Sequence, residues 1–327
     1  TALPGVVHVR VTQSARSVSS QVPPELRGTP WEDMFRGQGG GAPRAGSGSG
    51  FILSPDGYIL TNNHVVEGAN RVNVVLADKR EFEARVIGRD PNTDVAVVKI
   101  DGDGPFPTAV LGTANGLRVG EQAIAIGCPV ELAGGPSVTV GIISALHRSV
   151  PRATGGMLFD LVQTDTRVPA GWPGGALLDS SGSVVGITTS VGAAGTTGTG
   201  AEGGGFGFAV PIDTARAVAD QLITTGRVTT VWLGVKGGDL DGVTATALDL
   251  TGGVLVGEVM VGSPAAGVGV SPLDTIVGLD GVAVTSMSQL VIALRQHQPG
   301  DTVCLDIVRD HQRMSMAVVL TERPTQA

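Results

Sequence analysis

The sequence is poor in aromatic side chains, at 3% with a single tyrosine, and has only two cysteines. Two cysteines exclude a disulfide-built scaffold. Cys128 and Cys304 fall in different expected domains and read as two unpaired, buried thiols rather than a bridge. Positive charge is also scarce: 22 Lys and Arg stand against 30 Asp and Glu, for a net charge of -8. No block of basic residues overrides that balance, so no nucleic-acid partner is expected. No apolar run approaches the roughly 20 residues that span a bilayer, and no integral membrane segment is expected. The five histidines show no metal-ligand spacing, and neither a metal nor a cofactor is expected. The chain opens at Thr1 without the charged and apolar segments of a leader and reads as a processed or trimmed form.

What the chain has in abundance is glycine, 50 residues of 327, which predicts many turns and short strands. The length points to two domains. "LPGVVHVRVTQ" alternates as a half-buried strand does, and residues 17–49 read as a long mobile loop of Pro, Gly, Ser and charge. Short apolar runs separated by turn residues follow: "GFIL", "YILT", "RVNVVLA", "EFEARVIGRD", "DVAVVKI", then "QAIAIG", "SVTVGIISAL", "LVQTD", "GALLD", "VVGITTSV" and "GFGFAVPI". That rhythm predicts two barrels in tandem. "DTARAVADQLITTGRV" is an amphipathic helix that Asp213 or Thr214 can cap and Gly226 can end. Beyond it the strands and the helix "SMSQLVIALRQHQPG" form a separate α+β unit. The expected fold is mostly β, with boundaries at 1–226 and 227–327.

Five stretches, "GSGFILSPDGYILTNNHVVEGA", "RDPNTDVAVVKI", "VQTD", "GFGFAVPID" and "WLGV", stand in an order and spacing similar to the HtrA/Deg family. The resemblance covers nearly the whole chain. It implies a trypsin-like double β-barrel followed by a PDZ domain. It also implies that His64 is the general base and Asp94 the carboxylate orienting it, because a serine hydroxyl needs an imidazole to take its proton. Read without the family, His64 is a packing residue in a helical turn and Asp94 a turn residue before a strand.

The family's nucleophile segment reads Asn-Pro-Gly-Asn-Ser-Gly-Gly-Pro. "PAGWPGGALL" aligns with it through Gly171, Gly174 and Gly175, which places Trp172 at the second Asn and Pro173 at the serine. Proline supplies neither a hydroxyl nor a backbone N–H. The attacking group and one oxyanion donor are therefore missing together, with Gly171 on the remaining oxyanion side. By size, Trp172 is expected to fill or cover the primary specificity pocket. Ser180, Ser181 and Ser183 lie about a strand length away, too far to substitute.

The resemblance further implies a carboxylate-binding loop at "VWLGV", with Trp232, Leu233, Gly234 and Val235 holding a peptide C-terminus and Leu290 and Leu294 lining the groove. The two leucines read equally as core. Arg148 to Phe159 resembles the family's sensor loop. Family members assemble as trimers, and a homotrimer or a mixed oligomer with an active paralogue is expected, in an extracytoplasmic compartment. The expected function is a pseudoprotease that binds unfolded or misfolded proteins and peptide C-termini as a chaperone, adaptor or regulatory subunit. The alternatives are an active serine endopeptidase of protein quality control with an unrecognised nucleophile, and a PDZ scaffold whose barrels are only structural.

Overall fold

The computed structural model describes residues 2–13, 44–129, 135–152, 155–169, 172–189 and 206–324. Six strands close the first barrel: β1 (Val6–Gln13), β2 (Arg44–Ile52), β3 (Tyr58–Thr61), β4 (Arg71–Val75), β5 (Glu81–Asp90) and β6 (Val95–Ile100), in the order β1-β2-β3-β6-β5-β4. A one-turn helix, α1 (Asn63–Val66), follows β3. Val7, Val9, Ile52, Ile59, Val74 and Val98 alternate inward along their strands and are fully buried, the period-two pattern of a filled small barrel.

The second barrel is β7 (Gln122–Gly127), β8 (Ser137–Pro151), β9 (Met157–Thr164), β10 (Ala176–Leu178), β11 (Val184–Thr189) and β12 (Gly207–Pro211), closed in the order β10-β11-β12-β9-β8-β7. α2 (Ile212–Thr225) leaves β12 and ends on Gly226, which is left-handed at φ 74. Asp213 does not cap this helix. Its carboxylate instead accepts from Thr113 Oγ1 and from the Ala114 N–H at 2.6 Å, tying the helix start to the loop before β7.

The expected loop at 17–49 fares differently along its length. Residues 17–43 lie outside the described residues, but 44–49 are strand, paired in unbroken register with β1 from Gln13↔Arg44 to Val6↔Phe51. "RAGSGSG" has little strand propensity of its own. Pairing with an adjacent strand, which takes up the main-chain groups facing it, overrides it.

After Arg227 come β13 (Val231–Trp232), β14 (Val235–Asp239), α3 (Gly242–Ala247), β15 (Val254–Val259), α4 (Pro264–Gly267), β16 (Thr275–Leu279), β17 (Val282–Ala283), α5 (Met287–Leu294), β18 (Thr302–Arg309), β19 (Gln312–Val319) and β20 (Thr321–Glu322). The main sheet runs β14-β15-β16-β18-β19, leaving β14 at an edge; β13 pairs with β20 alone. Cys128 is buried, as expected, whereas Cys304 is exposed because it occupies an outward position of β18.

Two compact units result, one of Thr1–Ile143, Thr164–Ser190 and Gly204–Gly226, the other including Ser144–Gln163 and Arg227–Ala327. The stretch 148–159, expected as a loop, is mostly the facing ends of β8 and β9. Within the second unit Phe159 packs on the core, Ser288 Oγ receives the Asp160 N–H at 3.1 Å, and Arg295 lies 3.5 Å from the Asp160 carboxylate.

Asp274 is almost fully buried in this second unit. Burial pushes its pKa up, but the Arg309 guanidinium, donating from Nε and Nη2 at 2.6 Å each, and the Ser271 N–H outweigh burial and hold it below the usual carboxylate value. A depressed folded pKa stabilises the fold above the unfolded value of about 4, and that contribution is lost as pH falls through the folded pKa. Urea unfolding of the second unit should therefore weaken below about pH 4. Asp274→Asn should be less stable at neutral pH and less acid-sensitive. An unchanged acid profile in that variant would contradict the assignment.

Candidate functional site

His64 and Asp94 are brought together by two adjacent irregularities of the first barrel. Strand β3 ends at Thr61, and the single turn α1 lifts His64 off the barrel end. Asp94 precedes β6 in a left-handed conformation, φ 59, which costs a non-glycine residue about 1–2 kcal/mol. Hydrogen bonds fix it there: its carbonyl accepts from Asn62 Nδ2 at 2.9 Å and from the Asn63 N–H at 3.1 Å. Its carboxylate accepts the His64 N–H at 3.0 Å, His64 Nδ1 at 2.8 Å and Thr189 Oγ1 at 2.6 Å.

A carboxylate only accepts, so His64 Nδ1 is the donor in this contact. The His64 side chain is 32% exposed and that of Asp94 only 5%. This is an imidazole oriented by a buried carboxylate. Thr189 went unnoticed in the sequence, although "GITT" ends the fully buried strand β11. Hydroxyls in such a run need partners, and that was the available signal.

Pro173 sits in a turn at the start of the segment leading into β10. Its carbonyl accepts the Ser49 N–H at 2.7 Å, and a side chain on Gly48 would meet both that carbonyl and Val65, the neighbour of His64. The turn thus lies against β2 beside α1. The Gly174 N–H donates to the Thr188 carbonyl at 2.7 Å and the Gly175 N–H to the Trp172 carbonyl at 2.9 Å. Pro173 has no N–H, so residues 173–175 leave no backbone donor for a developing oxyanion. Gly171 lies outside the described residues. The Trp172 ring is buried on Gly127 at the end of β7, where its Nε1 finds no partner among the described residues.

Other candidate nucleophiles are engaged elsewhere. Burial pushes the Cys128 thiol up to about 11, far from the thiolate that reacts. Ser181 Oγ donates to Asp179 at 2.6 Å in the turn after β10. Among the described residues no cluster of His, Cys, Asp and Glu could hold a metal.

In the second unit, Leu233 and Leu290 belong to the core at 3% and 1% exposure, while Val235 and Leu294 are partly buried against it. Leu290 therefore offers packing rather than open surface. Trp232 is half-buried and pairs with Thr321. Gly234, at φ 85, turns the chain so closely past Ser263 that any side chain would collide with it. The turn delivers Val235 into edge strand β14, beside α5, whose first N–H is held by Asp239 at 2.6 Å.

Residues 48–187 match the trypsin-like peptidase domain model, and 233–320 the PDZ domain model. The chain is 37% identical over 347 residues to a probable periplasmic serine endoprotease, DegP-like, of Pseudomonas savastanoi pv. phaseolicola, covering 99% of this chain and 70% of that protein. A protein of the same description from Chlamydia trachomatis is 40% identical over 283 residues, covering 85% of this chain and 54% of its own length. Among solved structures, the HtrA-type protease AlgW with a tripeptide superimposes with a TM-score of 0.76 at 31% identity, covering 99% of this chain and 96% of AlgW.

Two substitutions check the geometry. Gly174, at φ 89, faces the Ser49 carbonyl and Thr61 Oγ1; Gly174→Ala should cost about 2 kcal/mol or more by urea unfolding. Thr189→Val removes one donor to a buried carboxylate and should cost about 1–3 kcal/mol. Wild-type stability in either variant would show that the turn or the carboxylate is held differently.

Proposed function

The chain belongs to the HtrA/Deg family of trypsin-like serine proteases with a PDZ domain, and from that premise we propose that it is a non-catalytic member. It binds extended or unfolded polypeptide in the barrel cleft and peptide C-termini at the PDZ loop, and acts as a chaperone, adaptor or regulatory subunit. The observation that carries this reading is the turn at Pro173. The residue at the nucleophile position has neither hydroxyl nor N–H, and the next two N–H groups are already bonded within the barrel.

Acyl transfer needs a nucleophile and a hole of waiting donors. Loss of one oxyanion donor alone lowers turnover by about 10²–10³, and loss of the nucleophile removes the covalent route. The oriented pair His64–Asp94 remains as a base without a hydroxyl to act on.

Peptide binding needs neither group. Edge strand β14 presents unpaired main-chain groups, the geometry of strand addition, and Gly234 precedes it in the position a carboxylate-binding turn requires. The relatives' names place them in the periplasm, which supports an extracytoplasmic location here. The chain assembles as a homotrimer, as its family does, or as a mixed oligomer with an active paralogue.

Cleavage of unfolded casein tests this. The chain should be inert, and Trp172→Asn combined with Pro173→Ser should restore cleavage and labelling by a fluorophosphonate. Cleavage by the unaltered chain that His64→Ala abolishes would overturn the proposal. A parallel titration with C-terminal peptides should show binding by the unaltered chain and at least about tenfold weaker binding by Gly234→Ala, since one misplaced donor to a carboxylate costs that much.

A further inference from the structure

The loop before β7 carries a dipeptide, Asn115-Gly116, at the tip of a β-turn that the Leu117 N–H closes on the Ala114 carbonyl at 3.2 Å. Of its two central residues only Gly116 is left-handed, at φ 89, which is the pattern of a type II turn. Both are exposed, and a side chain on Gly116 would meet nothing within 4 Å. Asn115 spends its own N–H on Thr113 Oγ1 at 3.0 Å. Its side-chain amide and the Gly116 N–H bond to nothing among the described residues.

Asn115 is the only asparagine of six that a glycine follows. Most of the others are restrained where this one is free. Asn62 and Asn63 are buried beside His64, Asn73 lies within β4 with its Nδ2 on Glu81 at 3.1 Å, and the Asn92 Nδ2 donates to Asp90 at 3.2 Å.

A side-chain amide one residue ahead of an unencumbered backbone nitrogen is open to attack by it, and glycine both exposes that nitrogen and frees the chain to turn toward it. The Gly116 nitrogen gives up its proton and attacks Asn115 Cγ. The N–Cγ bond forms, the Cγ–Nδ2 bond breaks, and ammonia leaves with the proton. Water then opens the cyclic imide at either carbonyl, giving aspartate or isoaspartate. The net change is amide and water to carboxylate and ammonium, with nothing oxidised or reduced.

The turn adjoins the tie that holds the start of α2. Thr113 Oγ1 donates to the Asp213 carboxylate at 3.0 Å, the Ala114 N–H reaches the same carboxylate at 2.6 Å, and Thr113 Oγ1 takes the Asn115 N–H as well. A carboxylate at position 115 sets a like charge one residue beyond that N–H, which repels Asp213. The isoaspartyl link also adds a main-chain atom inside the turn that the Leu117 N–H closes.

We propose that Asn115-Gly116 is a self-modifying site, which converts to isoaspartate and aspartate with water as the only co-reactant, and that conversion releases the start of α2 from the loop before β7. The site acts whether or not the cleft is catalytic.

The test is ageing of the whole chain in mildly alkaline buffer made with oxygen-18 water, followed by peptide mapping by mass spectrometry. Asn115 should convert with uptake of the label, several times faster than any other asparagine, and faster as pH rises because the attacking nitrogen must lose its proton. The isoaspartyl product should accept a methyl group from S-adenosylmethionine in the presence of a protein isoaspartyl methyltransferase. Asn115→Gln, at an exposed position where folding is not at stake, should resist conversion because the longer side chain does not close the same ring. Hydrogen exchange at Ala114 and at the start of α2 should quicken severalfold in the aged chain and stay unchanged in aged Asn115→Gln. An intact Asn115, or conversion no faster there than at the other asparagines, overturns the modification. Conversion that leaves exchange at Ala114 and α2 unaltered overturns the release.

Discussion

The site depends on one short seam along strand β2. Ser49 gives its N–H to the Pro173 carbonyl, takes the Cys128 N–H on its hydroxyl at 2.8 Å, and takes Thr61 Oγ1 on its carbonyl at 2.7 Å. A fully buried serine thereby joins the end of β3 and the loop after β7 to the turn at Pro173. Because all three bonds are buried, none can be exchanged cheaply for water. The glycines on either side of Ser49 are the steric half of the same device, since side chains there would meet Val65 and the Leu60 carbonyl. The position of the turn relative to α1 is thus a property of the barrel wall and does not depend on what residue 173 can do.

Asp94 shows the same independence. Its left-handed backbone is held by two bonds to its carbonyl and three to its carboxylate, and every donor is a group of the fold: Asn62, Asn63, His64 and Thr189. A serine hydroxyl appears nowhere in that set. The orientation of the His64 imidazole therefore does not depend on residue 173, and its geometry is no measure of turnover.

The legible parts of the sequence were those whose cause is local. Strand periodicity, the glycine ending α2 and the spacing from "TNNHVV" to "DVAVVKI" each express a constraint within a few residues. Where the reading differed, a distant partner decided. Asp213 would cap α2 in isolation but is taken by Thr113 and Ala114. "RAGSGSG" would be a loop but is paired by β1. Leu290 could line a groove or fill a core on helical spacing alone, and the sheet beneath it decides for the core. Thr189 was missed because its partner lies 95 residues away in the chain.

An oxyanion hole is a set of donors kept waiting, and waiting donors in a buried turn cost stability. In residues 173–175 no donor waits: proline has no N–H, Thr188 accepts from Gly174 and Trp172 from Gly175. Thr188 Oγ1 closes the arrangement by donating to the Trp172 carbonyl at 3.1 Å. Such a turn has its backbone satisfied within the fold. Satisfaction of the backbone and stabilisation of a developing oxyanion compete for the same N–H groups. Here the barrel has both of the N–H groups that remain.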